Sequence, residues 1–223
     1  MNYLVIVAHP DDETLGSGAT IHRLVQEGHR VAVATMANNV KARANISNSL
    51  ESDQREAFNI LGVSKFYFAD FPNIKMNIVP HLDLVKFIEE CIEDFGAEAI
   101  ITHHPSDTNN DHVKTSYAAQ AACRISQRKS GLPSLKLFLF MEIMSSTEWS
   151  LNSVAKKFEP NYFVEIGNEG LDLKLKALSA YKGVMRCYPH PRSEEAIKGL
   201  AAYRGCQAGC VFAEAFECAF RRE

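Results

Sequence analysis

The sequence predicts an α/β fold in which helices cover both faces of a mostly parallel sheet. Short apolar runs alternate with longer segments of helical periodicity along the 223 residues, which is typical of consecutive βαβ units. Polar clusters follow two of the apolar runs, where open sheets of this kind keep their ligand crevices. The expected fold is therefore Rossmann-like and doubly wound. Since repeats and linker-like tracts are missing from the sequence, we expect a single domain over residues 1–223.

The elements are predicted in order from periodicity, with apolar runs as strands and apolar residues three and four apart as helices. The predicted strands are 3–7, 30–36, 65–69, 98–102, 135–140 and 162–166. The predicted helices are 14–27, 49–61, 80–95, 113–128, 171–181 and 193–203. Gly62 directly follows the second helix, at a position that favours glycine, and Pro80 lies in the first turn of the third, where proline is tolerated.

Composition and charge exclude several classes of protein. The net charge of −3 supplies no basic field for a nucleic acid, and no apolar run approaches the roughly 18–20 residues of a membrane span. We therefore expect neither a nucleic-acid nor a membrane partner. The N-terminus lacks a signal-peptide pattern, and the six cysteines are scattered without a disulfide framework, so a cytoplasmic location is expected. Cys206 and Cys210 are expected on a buried, core-facing stripe.

The turn after the first predicted strand carries charge instead of a nucleotide-binding signature. Gly16 and Gly18 do not complete a G-x-G-x-x-G pattern, and the P-loop and G-x-S-x-G motifs are missing from the chain. Carboxylates at such a turn would repel a pyrophosphate. They would attract a cation.

Two polar clusters carry groups for metal binding and proton transfer. His-Pro-Asp-Asp-Glu occupies residues 9–13, and a cluster of His, Asp and Asn occupies 103–112. A histidine and a carboxylate from the first with a histidine from the second form an N/N/O set of the kind that holds catalytic zinc, and another carboxylate would serve as general base. Helix capping and turn formation explain each cluster singly. Two such clusters at two strand ends favour a site.

The clusters resemble the paired signatures of the PIG-L/LmbE-like zinc-dependent N-deacetylases. Residues 8–13 resemble the (A)HPDDE motif and residues 104–112 the motif HPxDxNxDH, while 189–193 and 204–216 resemble the bacterial branch. The similarity covers essentially the whole chain. It implies a hydrolase that removes an N-acetyl group from an amino sugar or sugar conjugate, including a nucleotide sugar or glycoside, and releases acetate and a free amine.

Carried over by position, the resemblance implies a metal set and a general base. His9, Asp12 and His112 would ligate Zn²⁺, although Fe²⁺ or Co²⁺ would suit the same N/N/O set. Asp11 would take a proton from the zinc-bound water that attacks the acetamide. Asp111 would either orient His112 through its second ring nitrogen or cap the helix that follows.

The resemblance leaves the general acid and the substrate contacts open. Since Asn109 stands where some relatives have a histidine, either His104 or His190 would supply the electrophilic or acid function. Arg43 and Arg192 are candidates for contacting a sugar hydroxyl or a phosphate, and both are also explained as solvated arginines.

The loop at residues 71–77 resembles a segment that often reads FPDNRxD in bacterial members. Asn73 and Asn77 replace its acidic residues, so Asn73 is a substrate-contact candidate whose preference does not carry over. The expected partner is a small N-acetylated sugar, with homo-oligomerisation left open. A metal-dependent phosphoesterase and a non-catalytic metal-binding sensor are the alternative functions.

Overall fold

The computed structural model describes residues 1–37, 50–151 and 156–223. The strands are β1 (Asn2–Val7), β2 (Arg30–Thr35), β3 (Lys65–Phe68), β4 (Ala99–His103), β5 (Leu137–Met141), β6 (Tyr162–Glu165) and β7 (Ala213–Arg221). The helices are α1 (Asp12–Gln26), α2 (Leu50–Leu61), α3 (His81–Phe95), α4 (Asn110–Ala122), α5 (Gly167–Ala180) and α6 (Glu194–Ala208). All these strands form one sheet, in the order β3-β2-β1-β4-β5-β7-β6. The predicted fold class is confirmed.

Strand order places the ends of β1 and β4 side by side. The first five strands are parallel. The strand order changes direction between β1 and β4, which are neighbours in the sheet. Their pairing runs from Tyr3 with Ala99 to Ile6 with Thr102. Such a switch point opens a crevice at the carboxyl ends of the strands. Because both polar clusters follow these two strands, they meet at this crevice.

Alternating side chains of the sheet build two separate cores. On β1, Val5 and Val7 face the core formed with α1, α2, α5 and α6. Leu4 and Ile6 face the opposite core, formed with α3 and α4. All four side chains are fully buried, so the sheet is covered on both sides, and a strand without a polar face is typical of the centre of a doubly wound sheet.

Helix α1 is broken one turn after it begins. Ser17, between two glycines, has φ −146° and ψ 17°, in line with the tendency of Gly/Ser pairs to kink helices. The buried Glu214 of β7 accepts hydrogen bonds from the backbone N–H groups of Ala19 and Thr20. The buried Lys174 donates one hydrogen bond to the carbonyl of Leu15 and one to Glu214, both at 2.7 Å. The ion pair thus satisfies backbone groups that the break leaves free.

The structure corrects three expectations. β7 was not predicted, because its sequence contains Glu214 and Glu217, which are buried and paired with lysines instead of facing water. The helix expected to reach residue 128 ends at Ala122, after which a 3₁₀ turn over Ile125–Gln127 follows. The cysteines at 206 and 210 are exposed and half-buried instead of lying on a core stripe. Within the described residues, none of the helices has both the length and the apolar character of a membrane span.

Candidate metal centre

Two turns at the β1/β4 crevice present the predicted residues. Asp11 lies between β1 and α1 with φ 96°, a left-handed conformation that is strained for a residue with a Cβ and that clusters at functional sites. His112 lies in the first turn of α4, which the side chain of Asn109 caps by accepting the backbone N–H of Asp111. The first motif thus approaches the second across the sheet edge.

His9, Asp12 and His112 come together as one cluster. Asp12 Oδ2 lies 3.4 Å from His9 Nδ1 and 3.3 Å from His112 Nε2, and one ligand atom from each residue falls within 4.8 Å of the others. With metal–ligand bonds of about 2.0–2.2 Å, tetrahedral ligands lie roughly 3.3–3.5 Å apart. The two distances to Asp12 therefore fit a small divalent cation held by N, N and O.

A second carboxylate faces the far nitrogen of each histidine. His9 Nε2 lies 3.1 Å from Asp111 Oδ2, and His112 Nδ1 lies 3.2 Å from Asp107 Oδ2. Carboxylates in this position fix the ring and the tautomer of a metal-binding histidine. Asp111 therefore sits behind His9 and not behind His112, for which the sequence had suggested it, and Asp107 takes the place at His112.

The carboxylates make the cluster favourable for positive charge. Burial by itself would lower the pKa of His112, but Asp12 and Asp107 outweigh it and raise the pKa to about 10. Burial likewise opposes a rise in the pKa of His9, which Asp111 and Asp12 bring to about 9. Although burial opposes it, the pKa of Asp12 falls well below its usual value beside His112 and His9. A cation at this position, whether protons or a metal, is stabilised.

Asp107 ties the centre to the segment after β5. Its carboxylate accepts hydrogen bonds from the side chains of Ser146 and Thr147 and from the backbone N–H of Asn109. Sequence reasoning gave Asp107 no role, although it belongs to the second motif. Ser146 and Thr147 have no comparable local signal, because their contact with Asp107 arises only from the folding of β4 beside β5.

Asp111 in turn holds the loop that contains Asn73. Its Oδ2 accepts the backbone N–H of Ile74 at 2.5 Å and its Oδ1 that of Met76 at 3.0 Å. Ile74 is strained, since it is β-branched and has φ 58°. Asn73 lies in this loop and is half-buried, and its role as a substrate contact remains a prediction.

Asp11 is buried next to the cluster and is paired with Arg192. Arg192 Nη1 donates to Asp11 Oδ2 at 2.9 Å, and Arg192 Nε donates to Ser145 Oγ, also at 2.9 Å. Burial raises the pKa of Asp11 to about 6, against the opposing effect of Arg192. The predicted base and a predicted substrate contact are thus partners in this structure.

Two further buried groups of the site were not assigned a role from the sequence. His103 Nε2 accepts the backbone N–H of Ala8 at 2.8 Å, and its ring stacks on His112 with centroids 3.9 Å apart; burial and His112 lower its pKa to about 3. Glu13, the last residue of the first motif, is fully buried and accepts hydrogen bonds from the hydroxyl groups of Tyr181 and Thr14. Its burial raises its pKa to about 7.

The remaining predicted residues lie in other surroundings. His104 is buried between the rings of Phe140 and Phe158, with Nε2 3.3 Å from Glu217 Oε2, and burial lowers its pKa. His190 is exposed and accepts the backbone N–H of Arg192 through Nδ1. Arg43 lies outside the described residues. The catalytic assignments of His104 and His190 remain predictions.

A Rossmann-like sheet with a His/Asp/His cluster at its switch point defines a class of α/β proteins equipped to bind a divalent metal. Residues 4–123 match the family described as "PIG-L: GlcNAc-PI de-N-acetylase". The chain belongs to this family, which confirms the resemblance seen in the motifs. A relative from Escherichia coli strain K12, "Uncharacterized deacetylase YaiS", is 27% identical over 184 residues, which cover 80% of this chain and 89% of the relative.

Solved structures share the whole fold. The N,N'-diacetylchitobiose deacetylase from Pyrococcus horikoshii has a TM-score of 0.79 at 20% identity and matches 97% of this chain and 83% of its own. GalB from Pseudomonas putida KT2440, described as 4-carboxy-2-hydroxymuconate hydratase, has a TM-score of 0.82 at 20% identity over 100% of this chain and 97% of its own. Since the latter is described as a hydratase, the fold by itself does not choose the reaction.

Proposed function

We propose that this protein is a zinc-dependent N-deacetylase that hydrolyses the acetamide of an amino sugar or sugar conjugate. The observation that carries the proposal is the cluster of His9, Asp12 and His112 with the buried Asp11 beside it. Membership of the PIG-L family and the deacetylase names of relatives support the reaction class. The metal identity and the sugar are inferred from the N/N/O donor set and from the relatives.

The residues would divide the chemistry between binding and proton transfer. His9, Asp12 and His112 would hold the metal, which when bound would acidify a water molecule and polarise the acetamide carbonyl. Asp11, buried and adjacent, would accept the proton of the attacking water. The protonated Asp11, or one of the histidines His104 and His190, would then deliver a proton to the departing amine. Asn73 would contact the sugar from the loop that Asp111 holds.

A direct test measures both products from a panel of N-acetylated sugars. The purified protein would be stripped of metal, reloaded with Zn²⁺, Co²⁺ or Fe²⁺, and incubated with N-acetylglucosamine, N,N'-diacetylchitobiose and N-acetylated glycosides and nucleotide sugars. We expect acetate and free amine in equal amounts, dependent on metal. The control is His112→Ala, which removes one ligand and should release neither product.

Other reactions on the same site would give different products. Phosphate released from phosphate esters, with no acetate from any sugar, would replace the proposal by a phosphoesterase. Water addition to an unsaturated carboxylic acid would indicate a hydratase, as described for GalB. Metal bound tightly without turnover of any of these compounds would indicate a metal-binding sensor.

A further inference from the structure

Three distant parts of the chain meet beside Asp11. Arg192 bridges them, since its Nη1 donates to Asp11 Oδ2 and its Nε donates to Ser145 Oγ. Among the described residues, Arg192 is the hydrogen-bond partner of the Asp11 side chain, and the contact uses Oδ2 alone. The second oxygen, Oδ1, takes no hydrogen bond from these residues. The guanidinium therefore fixes one oxygen of the carboxylate, and the other oxygen has no hydrogen-bond partner within the described part of the chain.

The backbone around Arg192 is itself fixed. The N–H of Arg192 donates to His190 Nδ1 at 3.0 Å, and the N–H of Ser193 donates to the carbonyl of His190 at 2.9 Å. Ser193 then caps α6 by accepting the N–H of Ala196. Arg192 thus extends from a turn fixed against the start of a helix, and hydrogen bonds to Asp11 and Ser145 hold its guanidinium in place.

Asp11 needs such a partner for two physical reasons. Its carboxylate is buried, and a buried carboxylate needs a hydrogen-bonded partner of opposite charge. Its backbone also has a left-handed φ, and its side chain has two χ angles that a hydrogen bond would restrain. A planar guanidinium that donates in two directions opposes the charge penalty and restricts the rotation.

We propose that Arg192 is a positioning residue for Asp11, rather than a substrate contact: it holds Oδ2 so that Oδ1 is aligned to accept the proton of the attacking water. This inference rests on the proposed role of Asp11 as general base. Lysine at position 192 would preserve the positive charge but not the two N–H donors that the planar guanidinium holds in fixed directions, because its ammonium group is carried by a flexible side chain.

The first experiment separates positioning from substrate binding by kinetics. Arg192→Ala and Arg192→Lys should both lower kcat, by about 10²-fold for misplacement of a reacting group, and leave KM and metal content nearly unchanged. Added guanidinium should restore part of the kcat of Arg192→Ala and none in Arg192→Lys, where the ammonium occupies the space. Arg128→Ala is the matched control, because it removes an exposed arginine paired with Glu89. A raised KM with unchanged kcat would overturn the proposal and make Arg192 a substrate contact.

The second experiment needs no substrate. A double-mutant cycle combines Arg192→Ala with Asp11→Asn in metal-loaded protein, and the midpoint of thermal unfolding is measured for the four proteins. We expect the two changes to be non-additive, with a smaller effect of Arg192→Ala once Asp11 is neutral. Strict additivity would refute the contact. Because this readout does not involve turnover, a coupled pair in a protein that releases no acetate would count against the proposed function and not against the pairing.

Discussion

The carboxylate of Asp111 lies 3.1 Å from His9 Nε2, although 102 residues separate the two in the chain. The contact leaves His9 Nδ1 facing Asp12, and it joins the second motif to the first. Asp111 also accepts two backbone N–H groups from the loop at residues 74–76. One buried carboxylate therefore orients a metal ligand and secures the loop that borders the site.

Neutralising Asp111 or Asp107 should weaken metal binding without removing a ligand. Asp111→Asn and Asp107→Asn each replace a carboxylate that faces a ligand histidine, and loss of such a partner typically costs about 10–100-fold in metal affinity. Competition with a chromophoric chelator measures the affinity. The control is Asp94→Asn, which changes an exposed carboxylate of α3 paired with Lys65. Unchanged affinity in both buried variants would show that the histidines need no support.

Asp11→Asn should separate chemistry from metal binding. The amide keeps the size of the side chain but has no basic oxygen, so turnover should fall by about 10²–10⁴-fold while the metal content stays at the level of the unchanged protein. Asp12→Asn is the matched control at the adjacent residue, and it should lower the metal content because it removes a metal ligand. Measurements of metal by atomic absorption and of acetate release check both. Full turnover in Asp11→Asn would assign the base to another group.

Metal removal should lower the stability of the folded protein. A metal that binds the folded protein and not the unfolded chain stabilises the fold, by about 2.7 kcal/mol when it is present at 100 times its dissociation constant. Chelation at pH 8 should therefore lower the midpoint of thermal unfolding, and added Zn²⁺ should restore it. His112→Ala should show a much smaller metal-dependent shift. Equal shifts in the two proteins would place the binding elsewhere.

Breaking the ion pair at the kink in α1 should destabilise the fold. Lys174→Met leaves the buried carboxylate of Glu214 without its cation, and loss of one partner of a buried pair costs about 3–5 kcal/mol. Denaturant unfolding measures the difference. Glu51→Gln, which breaks an exposed pair with Arg55 on α2, should cost no more than about 1 kcal/mol. If both variants lost the same free energy of unfolding, the buried ion pair would contribute no more to stability than the exposed one.

A larger side chain at Gly16 should destabilise the fold, because the side chains of Met141 and Ile143 lie directly against this position. A Cβ at this position would be 2.5 Å from Met141 Sδ and 2.7 Å from Ile143 Cδ1, both on fully buried residues. Gly16→Ala should cost about 1–3 kcal/mol through overpacking. Gly199→Ala is its control, since nothing lies within 4 Å of a Cβ there and alanine should stabilise an exposed helix position by about 0.5–1 kcal/mol. If Gly16→Ala and Gly199→Ala both destabilised the fold, steric overlap with Met141 and Ile143 would not explain the effect at Gly16.

Periodicity was enough to predict the first strands and helices because their positions depend on local features. β1 is apolar throughout, since it is buried on both faces, and Gly62 ends α2 with a left-handed φ that only glycine adopts without strain. The C-terminal β7 escaped prediction for the opposite reason. Its glutamates are compatible with a buried strand only because Lys174 and Lys156 reach them from distant segments.

The sequence by itself determined the fold class, the family signatures and the residue types offered to a metal. Each of these depends on neighbours a few positions apart. Only the tertiary structure decided which carboxylate serves which histidine and that Arg192 meets Asp11, since these contacts join residues brought together by the order of strands. Hydrogen bonds act over about 3 Å, so their partners are chosen by folding and not by proximity in the chain.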